Sequence, residues 1–94
     1  MVFLNVLEDI ENMAHSSGVA IVDIKPQPPK QADMYKYFLI EMEAEGKMEA
    51  LVNFLHQLTG SKELLRASKV YITLKDKETS MVKASILITK VVVP

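Results

Sequence analysis

The stretch MYKYFLIEMEAEGKMEALVNFLHQLTG, residues 34 to 60, changes its hydrophobic period part-way along. Over residues 34–45 apolar and polar side chains alternate, which is typical of a strand with one buried face. The predicted inward face of that strand carries Phe38, Ile40, Met42 and Ala44. Over residues 47–59 the apolar side chains instead recur every three or four positions, which is typical of an amphipathic helix. The stretch therefore predicts a long strand followed at once by a helix.

The rest of the chain divides into similar units. Residues 3–16 have helical period, and Gly18 follows them where a helix commonly ends in left-handed backbone. Three prolines between residues 26 and 29 cannot donate hydrogen bonds to a sheet, so they predict a surface loop. Short β-branched segments predict the other strands. The additional predicted elements are strands over 19–25, 69–75 and 81–93, loops over 26–33 and 76–80, and a turn over 61–66.

The predicted order of elements is helix, strand, strand, helix, strand, strand. Two amphipathic helices and four half-buried strands predict an α+β two-layer sandwich, with both helices on one face of a four-stranded sheet. This is the ferredoxin-like arrangement in circularly permuted αββαββ order. We expect a single domain over residues 1–94, with pseudo-repeat halves over residues 2–45 and 46–93.

Composition excludes several classes of function. The 94 residues carry 11 basic and 12 acidic side chains, a formal net charge of −1, so the chain lacks the positive charge typical of nucleic-acid-binding domains. The absence of cysteine excludes disulfides, thiolate catalysis and cysteine-ligated metals. No apolar run approaches the roughly 20 residues of a membrane helix. The sequence also contains no glycine-rich phosphate loop and no nucleophile motif.

The two histidines have simple structural explanations. His56 lies on the polar side of the second helix, which predicts a solvated side chain. His15 follows Glu11 by four residues, so an ion pair within the first helix accounts for it. Because the histidines lie in different helices without a metal-binding motif, we expect no catalytic residue, no cofactor and no metal site.

Three glutamates share the polar face of the long strand, namely Glu41, Glu43 and Glu45. Neighbouring carboxylates could hold a cation or act in acid–base chemistry. Lysines of the last two strands favour a different interpretation, and these are Lys69, Lys75 and Lys83. If the fourth strand neighbours the second, the two sets form cross-strand ion pairs on a solvated face.

Apolar side chains also occur on the sheet face that the helices do not cover. The alternation places six of them there: Ile21, Tyr35, Tyr37, Leu39, Leu87 and Val91. Isolated exposed apolar side chains are ordinary, whereas a contiguous group marks a protein-binding surface. We therefore predict that this group contacts another protein chain, as in a homodimer.

Three segments carry a family pattern. LEDIENMAHSSGVAIVDIKPQP combines a helix, a glycine end, an apolar strand and a proline-bearing loop. The second segment adds a strand, a glycine, a helix, a turn and a strand, and reads YFLIEMEAEGKMEALVNFLHQLTGSKELLRASKVYITL. The third segment is the closing strand, KASILITKVVV. Together they resemble the periplasmic core of the PilO family of type IV pilus assembly proteins, and GspM of type II secretion has nearly the same pattern. The matching positions in the second segment are Gly46, Leu51, Phe54, Leu55, Leu58 and Val70.

The resemblance implies a non-enzymatic scaffold domain of an inner-membrane assembly platform. It implies a periplasmic location, as a fragment of a longer bacterial inner-membrane protein whose membrane segment is absent from this chain. It further implies homodimers and pairing with a sister subunit, PilN-like for a pilus or GspL-like for a secretion system. No cofactor and no nucleic-acid partner are implied.

Two alternatives stay open at this point. The pattern does not separate a pilus platform from a GspM-like secretion platform. A ferredoxin-like domain can also act as a small regulatory module that binds a metabolite between paired domains.

Overall fold

A computed structural model describes residues 2–31, 36–60 and 65–92, and within them the side chains of residues 6–30, 36–60 and 65–91. The described elements are α1 (Val2–Ser17), β1 (Ala20–Pro26), β2 (Lys30–Gln31), β3 (Lys36–Lys47), α2 (Met48–Thr59), β4 (Leu65–Asp76) and β5 (Met81–Val92). The predicted α+β class and αββαββ order are confirmed, and the two-residue strand β2 is an addition to them.

The four long strands form one antiparallel sheet in the order β1-β3-β5-β4, and β2 pairs with β3. The long strand β3 lies inside the sheet, where it pairs with β1 on one side and with β5 along twelve residues on the other. β4 pairs with β5 and forms the far edge. The last strand of the chain therefore neighbours the second long strand, as the expected glutamate–lysine pairing requires.

Both helices pack on one face of the sheet, and the described core lies between the two layers. The helices contribute Val6, Ile10, Ala14, Leu51, Phe54 and Leu58 to it. β3 contributes Ile40, Met42 and Ala44, and β5 contributes Val82, Ala84, Ile86 and Ile88. Ala44 and Ala84 lie opposite each other in the register, and such small side chains let a helix approach the sheet closely.

The two helices also contact each other through polar side chains. The Gln57 side-chain amide donates a hydrogen bond to Ser17 Oγ at 2.8 Å and accepts one from Ser16 Oγ at 3.3 Å. Gln57 therefore marks the flank of α2 that faces the end of α1. At 100° per residue the opposite flank of α2 carries Met48 and Val52, which point away from α1.

The largest differences from the predicted boundaries occur in β4 and in the proline-rich loop. β4 begins at Leu65, four residues before the predicted strand, so the last two residues of the predicted turn belong to β4. Leu65 is buried in the core, which extends the pairing with β5 beyond the β-branched segment that the sequence pattern identified. β2 lies inside the predicted proline-rich loop, because backbone donors are available again after Pro29.

The predicted inward side chains of β4 face the helices but are only partly covered. Ile72 pairs with Ala84 and Leu74 pairs with Val82, and both partners are buried on the helix side. Nevertheless, 40% of Ile72 and 56% of Leu74 stays exposed. The predicted face is correct and the predicted burial is wrong, because β4 is an edge strand with no helix beyond it.

Substitution of Gly18 tests the turn between α1 and β1. Its φ is +84°, so Gly18→Ala should lower the free energy of unfolding by about 1–2 kcal/mol, the cost of a Cβ in left-handed backbone. Chemical denaturation measures the change. Gly60→Ala is the matched control at the end of α2, where φ is −84° and the substitution should be neutral or mildly stabilising. Equal losses at both positions would contradict this explanation.

Candidate interaction surface

The alternate side chains of β3 and β5 that point away from the helices form a helix-free face. In the register Tyr37 lies opposite Val91, Leu39 opposite Thr89, and Glu41 opposite Leu87. The apolar side chains of this set are half-buried and lie toward one end of the two strands. We call the group of Tyr37, Leu39, Leu87 and Val91 the apolar end of the helix-free face.

Two predicted members do not join this group in the described structure. Ile21 pairs with Ala44, which is buried under the helices, and Ile21 itself packs against the core. Its predicted place on the helix-free face is therefore wrong. The reason is a β-bulge between Ile21 and Asp23, whose extra residue shifts the alternation of β1. Tyr35 lies outside the described residues.

Two of the three glutamates of the helix-free face, Glu43 and Glu45, form the expected cross-strand pairs with lysines. Lys83 Nζ lies 3.7 Å from Glu43 Oε2, and Lys75 Nζ lies 2.7 Å from Glu45 Oε2. β4 has two bulges, one between Ala67 and Lys69 and one between Leu74 and Asp76. Lys75 is the extra residue of the second bulge, and its side chain reaches across β5 to Glu45. These carboxylates have ordinary surface partners, which supports a solvated face over a cation site.

A shallow depression of about 310 Å³ lies in the middle of the helix-free face. Its rim carries exposed side chains of both signs, among them Asp23, Lys25, Glu41 and Lys69, together with Tyr71. Leu87 separates Glu41 from Lys69, since it pairs with both. An open, mixed surface of this kind suits contact with another protein surface, whose rim is polar around an apolar centre.

Sequence reasoning missed Tyr71 as a member of this face. Tyr71 lies opposite Ser85 and is 67% exposed, the largest exposure among the exposed apolar and aromatic side chains of the described residues. A signal for it was present, because the same alternation that directs Val70 and Ile72 inward directs Tyr71 outward.

The histidines lie apart from this face. His15 and His56 are exposed on α1 and α2. The ion pair expected between Glu11 and His15 is not formed among the described side chains. Nor do three or more histidine, aspartate or glutamate side chains in the described part of the chain come together as a possible metal site.

Comparison with known protein families identifies the domain. The family model for the type IVa pilus alignment subcomplex PilO C-terminal domain matches residues 3–92. The chain belongs to the PilO family. The resemblance seen in the sequence is thereby confirmed, and this domain is a non-enzymatic component of type IV pilus assembly. No curated protein sequence matches the chain. None of the described helices of this PilO domain has the length and apolarity needed to cross a membrane.

Solved structures have the same fold. The type 4 fimbrial biogenesis protein PilO from Pseudomonas aeruginosa is 22% identical over 96% of this chain and 67% of that chain, with a TM-score of 0.86. The core region of PilO from the same organism is 22% identical over 94% of this chain and 91% of that chain, with a TM-score of 0.82. A protein from Akkermansia muciniphila, solved without its transmembrane region, is 14% identical over 97% of this chain and 54% of that chain, with a TM-score of 0.79.

The Glu45–Lys75 pair should contribute little to stability. Both side chains contact solvent, so a double-mutant cycle of Glu45→Ala and Lys75→Ala should give a coupling energy of about 0.2–1 kcal/mol. Thermal or chemical denaturation of the four proteins measures the coupling. It should decrease further in 1 M salt, where the screening length is about 3 Å. A coupling that is larger than this and insensitive to salt would contradict a solvated pair.

Proposed function

We propose that this PilO domain is a scaffold of the inner-membrane platform for type IV pili, acting by homodimerisation and by pairing with a sister subunit. Family membership supports the pilus assignment, since the matching model describes a pilus alignment subcomplex. The structural observation that carries the proposed mode of action is the apolar end of the helix-free face. Its side chains are half-buried and lie on the face of the sheet that the domain's own helices do not cover.

The composition of this surface supports binding to another folded domain. Tyr37 and Val91 lie directly opposite each other, and Leu39 extends the group along β3 toward Glu41. Aromatic and aliphatic side chains at the centre of a protein interface contribute most of its affinity, while the charged rim contributes specificity. Glu43 and Lys83, which pair on the same face, would act as such a rim.

We propose a PilN-like partner in preference to a GspL-like one, because the matching family model describes a pilus subcomplex. A periplasmic location would follow from the same family assignment. The Akkermansia protein with the same fold has a transmembrane region outside the part that was solved. By analogy, contact of this protein with the membrane would be made by a segment other than the described helices.

Paired substitution of the apolar end tests this function. Tyr37→Asp with Leu39→Asp should weaken self-association, and binding to the sister subunit's periplasmic domain, by tenfold or more, about 1.4 kcal/mol. The physical reason is that two charges would be buried in an apolar contact. Sedimentation equilibrium measures the dissociation constants.

Asn53→Asp is the matched control for this pair. Asn53 is exposed on α2, on the other side of the sheet from the apolar end, so its substitution should leave both associations unchanged. Circular dichroism verifies that each variant is folded. If the paired variant associates as strongly as the unmodified domain, the apolar end is not the binding surface.

A further inference from the structure

The central part of β4, residues 70–74, is an edge without the usual protection. Among the described strands β4 pairs with β5 alone, so the outer edge of this part has no strand partner among them. Residues 70–74, VYITL, contain neither charge nor proline, and Tyr71, Ile72 and Leu74 are exposed. Proteins usually protect such an edge with charges, prolines, bulges or a covering element, because it can pair with another chain. An uncovered apolar edge therefore indicates a docking surface.

The opposite edge of the sheet has the protection that the centre of β4 lacks. β1 ends at Pro26 and carries the charged side chains of Asp23 and Lys25 near its end, whereas the two bulges of β4 lie outside residues 70–74. The proline and the charges of β1 each discourage the addition of another strand. The two edges of one sheet thus differ, and the difference singles out β4.

The flank of α2 beside β4 extends the apolar surface. Gln57 faces α1, so Met48 and Val52 lie on the opposite flank, and both are exposed. α2 also contacts β4, whose Ile72 and Leu74 face the helix side of the sheet. The helix flank and the inward side of β4 therefore form one apolar strip that is open at the edge of the sheet.

We propose that β4 pairs antiparallel with β4 of a second copy of this chain, about a two-fold axis at Tyr71. The two sheets then form one continuous sheet with all four helices on the same side. The inference rests on the proposed function, in which copies of the domain pair, and it adds the β4 edge to the apolar end as a second surface for that self-association. When a strand is added to a sheet edge, main-chain hydrogen bonds between the two strands provide affinity, and contacts of the alternate side chains provide specificity.

A second copy fits the charges at the two ends of this edge. Positions along β5 show how far Arg66 and Asp76 lie from Tyr71, whose partner on β5 is Ser85. Arg66 pairs with Thr89, four residues after Ser85, and Asp76 pairs with Met81, four residues before it. A two-fold axis at Tyr71 therefore places Arg66 of each copy opposite Asp76 of the other. Opposite charges across a strand pair stabilise it, and the symmetric arrangement provides two such pairs.

A second copy also fits the apolar strip. The same axis sets Ile72 of one copy beside Val70 of the other on the helix side, and sets the two Tyr71 side chains together on the opposite side. Lys69 faces the uncharged Thr73, so this central part of the pairing brings no like charges together. The apolar strip of one copy then covers the apolar strip of the other, as the self-complementary interface of a two-fold dimer requires.

Disulfide cross-linking tests both the edge and the axis. The chain has no cysteine, so Tyr71→Cys introduces a single thiol per copy. Directly opposed residues have Cβ atoms about 4.5–5.5 Å apart, within reach of a disulfide after small adjustment. Mild oxidation should therefore give a covalent dimer on a non-reducing gel. Thr73→Cys is the control, because its symmetry mate lies about 13 Å away along the strands and should not cross-link.

A charge placed in the strip provides an independent measurement. Ile72→Lys alters a side chain that is already 40% exposed, so the monomer should stay folded while self-association weakens by about tenfold or more. Val22→Lys is the matched control on the protected edge β1, where the side chain is 52% exposed, and it should leave self-association unchanged. Sedimentation equilibrium gives the dissociation constants, and circular dichroism checks the fold.

Several results would overturn this inference. A chain that stays monomeric at all concentrations, a Tyr71→Cys variant that does not cross-link, or a Thr73→Cys variant that cross-links equally well each reject it. If Ile72→Lys associates normally while the Tyr37→Asp and Leu39→Asp pair does not, the inference fails and the proposed function stands. If only Ile72→Lys loses association, the inference stands and the apolar end is not the homodimer surface.

Discussion

The pairing of β3 with β5 along twelve residues is the contact on which the other features of this domain depend. It joins strands from the two halves of the chain, so its formation requires closure of a long loop before any hydrogen bond forms. Once formed, it creates two surfaces with different chemistry. Ile40 and Ile88 meet on the inner side and are buried under the helices, whereas Glu43 and Lys83 pair on the outer side in solvent.

The width of the helical layer explains where apolar surface stays exposed. The two helices cover one face of the sheet only, and at the β4 edge of that face they leave 40% of Ile72 and 56% of Leu74 exposed. The outer side of the sheet and the strip beside the edge strand β4 consequently have no covering element. A domain that acts by assembly needs such surfaces, and a PilO domain performs its role through contacts with other chains.

The two edges of the sheet differ in their protection against pairing with another chain, which is consistent with a domain that assembles with other chains. β1 carries charged side chains and a terminal proline, while the middle of β4 carries tyrosine, isoleucine and leucine between two lysines. A monomeric domain would gain solubility from equal protection at both edges. Under the proposed β4 pairing, this asymmetry would direct association to one edge and disfavour open-ended aggregation through both.

The sequence by itself determined the class of elements, their order and the family. The change of period at Glu45–Met48 separates a strand from a helix, and the Glu and Lys alternation predicts a solvated sheet face. These features are local, because the period of a segment depends on its own residues. The same local pattern also contained Tyr71, whose outward direction follows from its neighbours.

Only the tertiary structure decided the side-chain positions that depend on strand pairing. Ile21 lies on the helix side because β1 has a bulge in its pairing with β3, and the extra residue reverses the face to which Ile21 points. The sequence of β1 alone does not reveal that extra residue. Leu65 joins a strand because β5 provides a partner for it. Ile72 and Leu74 have the pattern of core residues and stay exposed, because burial depends on strand order, and strand order placed β4 at the edge.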